Sequence, residues 1–279
     1  MAPISGIATR GLSQEDLPAA LLLSAEAGWN QAAEDWALFL EHGRLLGVPS
    51  TTGLTASAAI LPYDGFAWIS MVLVTGAARG QGLGTGLLRQ AMGAVADAGQ
   101  IPVLDATPSG ERIYRPLGFR PVFPLTRWRG QATGQAVLPP ALRPVEAEDL
   151  PSVTALDAAA FGAARPGILA HLWRRAPRAA LILENGQGFV LARPGREAMQ
   201  IGPLVAPDEA SAATLLQAAL GRLTGTVLLD MPDAWAGLAA LLEAEGFRRE
   251  RPFLRMALQR TAAFGDPARL YAVAGPELG

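Results

Sequence analysis

Hydrophobic residues in this chain fall into short runs separated by Gly- and Pro-bearing turns, and the order of the runs repeats. Ile69-Ser70-Met71-Val72-Leu73-Val74 predicts a buried strand, and residues 79–98 behind it carry a helical pattern. Ile201-Gly202-Pro203-Leu204-Val205 predicts a second such strand, with a helix over 208–223. In both places a short apolar strand ending in Asp comes next. The first is Val103-Leu104-Asp105, with Pro108 nearby and a helix closing in Gly118-Phe119; the second is Val227-Leu228-Leu229-Asp230, with Pro232 and Gly246-Phe247. Upstream of each copy, an Arg, a hydrophobic residue two positions on, and Asp-Leu-Pro recur at one spacing. They are Arg10, Leu12 and Asp16-Leu17-Pro18, then Arg143, Val145 and Asp149-Leu150-Pro151. Ordered internal similarity of this kind decides architecture before any single residue does, and it predicts two tandem copies of one strand-and-helix unit.

Residues 130–140 are rich in Gly, Ala, Thr and Pro without periodicity, the composition of a linker. The expected domains are therefore 1–137 and 138–279. The last segment, 261–279, has no counterpart in the first copy, and its apolar stretch Leu270 to Ala274 predicts an edge strand.

A chain of 279 residues is long enough for two cores, and half its residues are hydrophobic against 17% charged, as in a globular protein. Its 23 basic and 25 acidic residues are interspersed, so no basic tract is available to follow a nucleic-acid backbone. No apolar run is long enough to span a membrane, and the first residues lack a basic stretch followed by an apolar one, so a cytoplasmic location is expected. The absence of cysteine excludes disulfides, thiolate metal sites and cysteine nucleophiles. With only His42 and His171 as imidazoles, no metal is expected, and neither has neighbours that suggest catalysis.

The segment that carries chemistry runs from Val72 to Leu88. Val72-Leu73-Val74 leads through Arg79-Gly80-Gln81-Gly82-Leu83-Gly84-Thr85 into a helix. Unpaired N–H groups at a helix start, approached through glycines, favour a phosphate. No lysine follows the glycines, which disfavours a nucleoside-triphosphate loop, and Leu87 stands where a dinucleotide fingerprint needs its third glycine.

Arg79, Gly82 and Gly84 after a Val-Leu-Val strand resemble the pyrophosphate loop of the GNAT superfamily of acetyltransferases. Tyr114-Arg115-Pro116-Leu117-Gly118-Phe119 is similar to the ending of that family's next helix. Gly28-Trp29-Asn30 and Leu104 to Pro108 resemble elements of bacterial two-domain members. The resemblance implies an α/β fold with two tandem GNAT-like domains, each a mostly antiparallel twisted sheet flanked by helices. It implies acetyl-CoA as cosubstrate, with backbone groups of Val72, Leu73 and Val74 on the pantetheine and N–H groups from Arg79, Gly80, Gln81, Gly82, Leu83, Gly84 and Thr85 on the pyrophosphate. Tyr114 would donate the proton that a leaving thiolate needs, and Trp29 and Asn30 would border the acceptor. Glu26, Asp35 and Asp105 are candidate bases, with a water-mediated route as the alternative and a helix-cap role open for Asp105.

In the second copy Pro207-Asp208-Glu209-Ala210 replaces the glycine loop, and Leu242-Glu243-Ala244-Glu245 replaces the tyrosine segment. Carboxylates at a helix start repel a pyrophosphate, so this copy is expected to keep the fold without the cofactor, either as scaffold or to shape the acceptor site through segments 161–165 and 189–195. The expected activity is N-acetylation of a primary amine on a small molecule by a monomer or homodimer. The alternatives are a non-catalytic acyl-CoA sensor and a protein lysine or N-terminal acetyltransferase.

Overall fold

The computed structural model describes residues 8–51, 53–134 and 137–279. It divides into two compact units, Met1–Leu104 and Asp105–Gly279.

The first unit opens with the repeated Arg and Asp landmark, which the structure explains. After strand β1 (Arg10–Gly11), the Arg10 guanidinium donates to both oxygens of Asp16, at 2.7 and 2.6 Å, and the Ser13 N–H donates to Asp16 Oδ2 at 2.9 Å. The aspartate thus closes a 3-10 turn and starts helix α1 (Leu17–Glu26), whose early Pro18 occupies a position where the missing N–H costs nothing. Helix α2 (Ala33–His42) and three antiparallel strands follow: β2 (Arg44–Ser50), β3 (Gly53–Pro62) and β4 (Phe66–Val74). Helix α3 (Leu83–Asp97) lies against them through Leu87, Leu83, Val72 and Val74, and the small Ala56 and Ala58 of β3 let it approach. Strand β5 (Ile101–Ala106) returns parallel to β4.

One irregularity in β4 matters for the site. Ser57 faces Leu73 and Ala59 faces Ser70, so β4 carries one residue more than β3 between these pairs. Met71 takes that extra place at φ 51°, a left-handed conformation unusual for a side-chain-bearing residue, and its carbonyl is held by the Ser57 hydroxyl at 2.8 Å. The parallel ladder to β5 ends just before it, at Trp68↔Val103.

The second unit begins with helix α4 (Pro108–Tyr114) and the long strand β6 (Phe119–Thr133). It continues through β7 (Leu142–Pro144), α5 (Leu150–Phe161), α6 (Pro166–Arg175), β8 (Leu181–Leu183), β9 (Phe189–Pro194), β10 (Met199–Val205), α7 (Glu209–Leu220), β11 (Thr224–Pro232), α8 (Ala236–Ala244), β12 (Arg248–Leu258) and β13 (Leu270–Ala272). Its strands lie in the order β12-β6-β11-β10-β9-β8-β7. Arg143 and Asp149 repeat the opening fork at 2.5 and 2.7 Å. Helices α7 and α8 cover one face, burying Leu215, Leu216, Leu238 and Leu242 against Trp128, Val227, Leu229 and Ile201.

Strand β6 corrects the expected linker. It extends to Thr133, and Gly130 is a strand residue whose missing side chain admits the Phe247 ring: a Cβ there would lie 2.4 Å from it. Gln135 and Ala136 lie outside the described residues. The compact units part at 104/105, with β6 paired antiparallel to β11 and β12, whereas the repeat in the sequence led to an expected boundary at 137/138.

Strand β13 differs from the edge strand expected. It pairs with β10 at Leu204↔Ala272 and Val205↔Leu270, and the Val273 N–H donates to the Asp230 carbonyl of β11 at 3.0 Å. It sits there because β10 has its own bulge, between Ile201 and Leu204, past which the parallel pairing of β10 with β11 ends at Ile201↔Leu229. The opening that β4 and β5 leave in the first copy is thus filled, in the second, by the chain's own last segment.

Candidate active site

The loop from β4 to α3 is built on two left-handed glycines. Gly80 has φ 78° and Gly82, the N-cap of α3, has φ 79°, a conformation glycine adopts without steric cost. The first turn of α3 places Leu83, Gly84 and Thr85 with N–H groups that have no intrahelical acceptor. Gly84 lies over the strand, where a Cβ would stand 3.4 Å from Val74 Cγ2. Arg79 folds back so that its Nε donates to the Val74 carbonyl at 3.2 Å, and Gln81 reaches the Ala77 carbonyl at 3.4 Å. The sequence pointed to Arg79 and Gln81 through backbone groups, and their side chains brace the loop.

The structure brings three of the expected groups to one end of the first unit. Val72, Leu73 and Val74 follow the Met71 bulge on the stretch of β4 beyond its ladder with β5. The loop follows directly, and Glu26, the last residue of α1, accepts the Gly76 N–H at 2.6 Å. Trp29, half-buried, and Asn30, buried, lie just beyond, in the connection between α1 and α2.

The three candidate bases have distinct surroundings. Asp35 is buried and caps α2, accepting the Ala32 N–H at 2.8 Å. Asp105 is not the helix cap, a role taken by Thr107, which accepts the Gly110 N–H at 3.2 Å. Both Asp105 oxygens accept from Arg255 at 2.9 Å; burial raises its pKa while Arg255 pulls the other way. Glu26 remains exposed apart from its bond to Gly76.

In the second unit, the Tyr114 ring folds back along α4 over Gly110, where a Cβ would come within 2.9 Å of Cε2. It meets Phe119 at 6.0 Å between centroids, and the Phe119 ring is fully buried. Among the described residues no group bonds the hydroxyl. Burial pushes the phenol up to about 12, so it carries its proton throughout the physiological range.

Two residues had no signal in the motifs. Ser70, next to the bulge, is buried with a hydroxyl that has no partner among the described residues. Gly110 is visible only once Tyr114 is known to fold back over it. Segments 161–165 and 189–195 have a use the sequence did not suggest: they hold the last segment. Arg165 stacks on Phe161 at 3.8 Å, forks to Asp157 at 2.7 and 2.9 Å, and donates to the carbonyls of Leu278 and Gly279 at 2.9 and 2.8 Å. Arg193 donates to the Ala274 carbonyl and to Glu277. At the second copy's equivalent of the loop, α7 begins with Asp208, whose carboxylate caps the Ser211 N–H at 2.8 Å, and with Glu209, which accepts the Leu238 N–H at 2.8 Å.

A strand stretch beyond its ladder thus runs into a glycine loop at a helix start, and the comparisons give the family. Residues 14–119 match the model of the acetyltransferase (GNAT) family, and residues 153–272 match a second acetyltransferase (GNAT) domain model. Together these matches take in most of the chain, which belongs to the GNAT acetyltransferases as a tandem-domain acyltransferase. It is 24% identical over 278 residues to the uncharacterized N-acetyltransferase YitH of Bacillus subtilis, covering 96% of this chain and 97% of that one. Among solved structures, a candidate acetyltransferase of Pyrococcus horikoshii superposes with a TM-score of 0.83 at 19% identity, over 100% of this chain and 98% of that one. A tandem GNAT protein from the clavulanic acid biosynthesis pathway gives 0.62 at 13% identity, over 90% and 97%. Among the described residues no helix is long and apolar enough to cross a membrane, and no cluster of potential metal ligands occurs.

Proposed function

We propose that this chain transfers the acetyl group of acetyl-CoA to a primary amine of a small molecule, with the cosubstrate held by the first copy, 1–137. The observation that carries the reading is the run from the Met71 bulge through Val72 and Val74 into Gly80 and Gly82, which offers strand-edge and helix-start N–H groups in sequence. The former suit an amide-bearing arm and the latter a pyrophosphate. Support for a single cosubstrate per chain comes from the second copy, 138–279, where β13 fills the equivalent opening and two carboxylates begin α7.

In this reading the amine nitrogen attacks the thioester carbonyl while a backbone N–H near Met71 to Leu73 donates a hydrogen bond to the developing oxyanion. The carbon–sulfur bond breaks as Tyr114 donates to the departing sulfur. An ordinary thiol ionises near about 8.5, so a phenol at about 12 is the weaker acid. Tyr114 therefore works as a relay, passing its proton to sulfur as one returns from the acceptor's ammonium group through water or Glu26. Trp29 and Asn30 border the acceptor, the protein acts in the cytoplasm, and the monomer or a homodimer suffices.

Titration calorimetry with acetyl-CoA tests the proposal, the expectation being one site per chain followed by acetyl-CoA-dependent modification in an amine panel. No binding would overturn it, and binding without turnover of any amine would make the chain an acyl-CoA sensor.

A further inference from the structure

Ser70 stands where β4 stops being an ordinary strand. Its neighbour Met71 is the bulge residue, and the ladder to β5 has ended two positions earlier, at Trp68↔Val103. Ser70 lies opposite Ala59, and since Ala58 faces α3, Ser70 points to the other side of the sheet. Its hydroxyl is buried with no partner among the described residues, whereas Ser57, on the same side, donates to the Met71 carbonyl. A buried hydroxyl without a partner is destabilising where alanine would not be, so packing alone gives no reason for a serine here.

The second copy shows what this position faces. Counted from Ile69 and Ile201, which begin the two matching runs, Val72 corresponds to Leu204, and each packs under the helix that follows its strand: Val72 with Leu87 of α3, Leu204 with Leu215 and Leu216 of α7. By the same count Ser70 corresponds to Gly202. The direction a side chain would take from Gly202 is occupied by the segment that fills the second opening: a Cβ would stand 1.9 Å from the Val273 carbonyl oxygen. A side chain at this position therefore points at whatever lies between the parted strands, and in the second copy it would meet a carbonyl. The filling segment runs along β10 from Leu270 beside Val205 to Val273 beside Gly202. In the first copy the matching end is the one remote from the glycine loop, which follows Val74.

We infer that the Ser70 hydroxyl donates to the carbonyl oxygen of the acetyl thioester and is a catalytic residue of the first copy. The inference rests on the acetyl-CoA reading for the molecule in the opening. With the pyrophosphate at Gly82 to Thr85 and the arm along Val74 to Val72, the acyl end arrives at Ser70. Attack by the amine forms the carbon–nitrogen bond and moves the carbonyl π pair onto oxygen, where the Ser70 O–H and the strand N–H stabilise it. The pair returns as the carbon–sulfur bond breaks, and the nitrogen loses one proton while the sulfur gains one, giving the amide and the thiol of coenzyme A. The Ser70 proton stays on Oγ throughout. Its bond strengthens as charge develops, in a place shielded from water, so it acts on the transition state more than on binding. Ser70 keeps 9% of its surface exposed, and a turn about χ1 alone aims the hydroxyl.

The test is isotope-edited infrared spectroscopy of acetyl-CoA labelled with carbon-13 at the thioester carbonyl, bound at saturation to the native chain, Ser70→Ala and Ser70→Thr, with Tm and acetyl-CoA affinity measured for each. The carbonyl band should move to higher wavenumber in Ser70→Ala, where a donor is lost, and return in Ser70→Thr. Ser70→Ala should hold its Tm, because no bond is lost in the empty protein, and should bind acetyl-CoA as the native chain does. With an amine that the native chain acetylates, kcat should fall by about 10² in Ser70→Ala, the effect of removing one oxyanion donor, and recover in Ser70→Thr. An identical band in the native chain and Ser70→Ala, or an alanine variant that melts well below the native chain, overturns the inference and leaves acetyl transfer standing. If Ser70→Thr does not fold, the alanine variant decides by itself. If the native chain binds no acetyl-CoA, the acetyltransferase reading fails, and the role of Ser70 falls with it.

Discussion

The role proposed for Tyr114 depends on its position and its protonation state together. With its phenol raised to about 12, it should not ionise below pH ~11, so kcat should rise with pH as the amine loses its proton and show no fall near pH 10. Tyr114→Phe should lower kcat by about 10² to 10⁴ without changing acetyl-CoA affinity. An alkaline limb near pH 9 to 10 that disappears in Tyr114→Phe would mean the phenol titrates as an exposed one. Gly110→Ala should reproduce part of the kcat loss in a folded protein, because the added methyl group displaces the ring that lies over it. The Asp149 carboxyl, held below its ordinary value first by the Arg143 fork, gives the matching prediction for stability. A depressed carboxylate pKa stabilises the fold above the unfolded value of about 4, and that contribution is lost as pH falls. Asp149→Asn should therefore cost about 1 kcal/mol at neutral pH and flatten the loss of Tm between pH ~5 and ~2; an unchanged acid slope would count against the fork.

At the scale of elements, the two bulged strands are one device used in two ways. In β4 the extra residue follows the end of the ladder with β5, where the proposed cosubstrate would meet the backbone; in β10 the same irregularity makes room for β13. Gly202, at φ 138°, is needed there, since a Cβ would stand 1.9 Å from the Val273 carbonyl oxygen. Gly202→Ala should destabilise the protein by about 2 to 4 kcal/mol, read from chemical denaturation, and a neutral result would mean β13 is not seated. The start of α3 can be tested without strain through Thr85. Thr85→Glu places a carboxylate in the first turn, which favours the helix by about 0.3 to 1 kcal/mol and opposes a pyrophosphate. Acetyl-CoA binding should fall at least tenfold while Tm holds or rises; retained binding would move the phosphate site elsewhere.

On the scale of the whole chain, the repeat exchanges its buried charges. Asp105 of the first copy pairs with Arg255 of the second, and Asp230 of the second pairs with Arg127 of the first. Removing one partner leaves a buried charge, so Asp230→Ala should cost about 3 to 5 kcal/mol, and a combined Asp230→Leu and Arg127→Met should recover most of it. Additive losses in that cycle would show the pair is not coupled. The two copies, their Arg–Asp openings, the glycine loop and the tyrosine helix were legible in the sequence because each is local: a turn, a cap or a helix start depends on residues a few positions apart. The glycine-rich stretch around Gly130 was misread as a linker because composition records a missing side chain and not the Phe247 ring that fills its place. For the same reason nothing in the motifs marked Asp105 as an ion-pair partner or β13 as the occupant of the second opening. Sequence alone determined which elements form and how often they recur. Only the tertiary structure decided which strands pair, which opening is filled and which buried charges meet, because these depend on groups brought together from positions far apart in the chain.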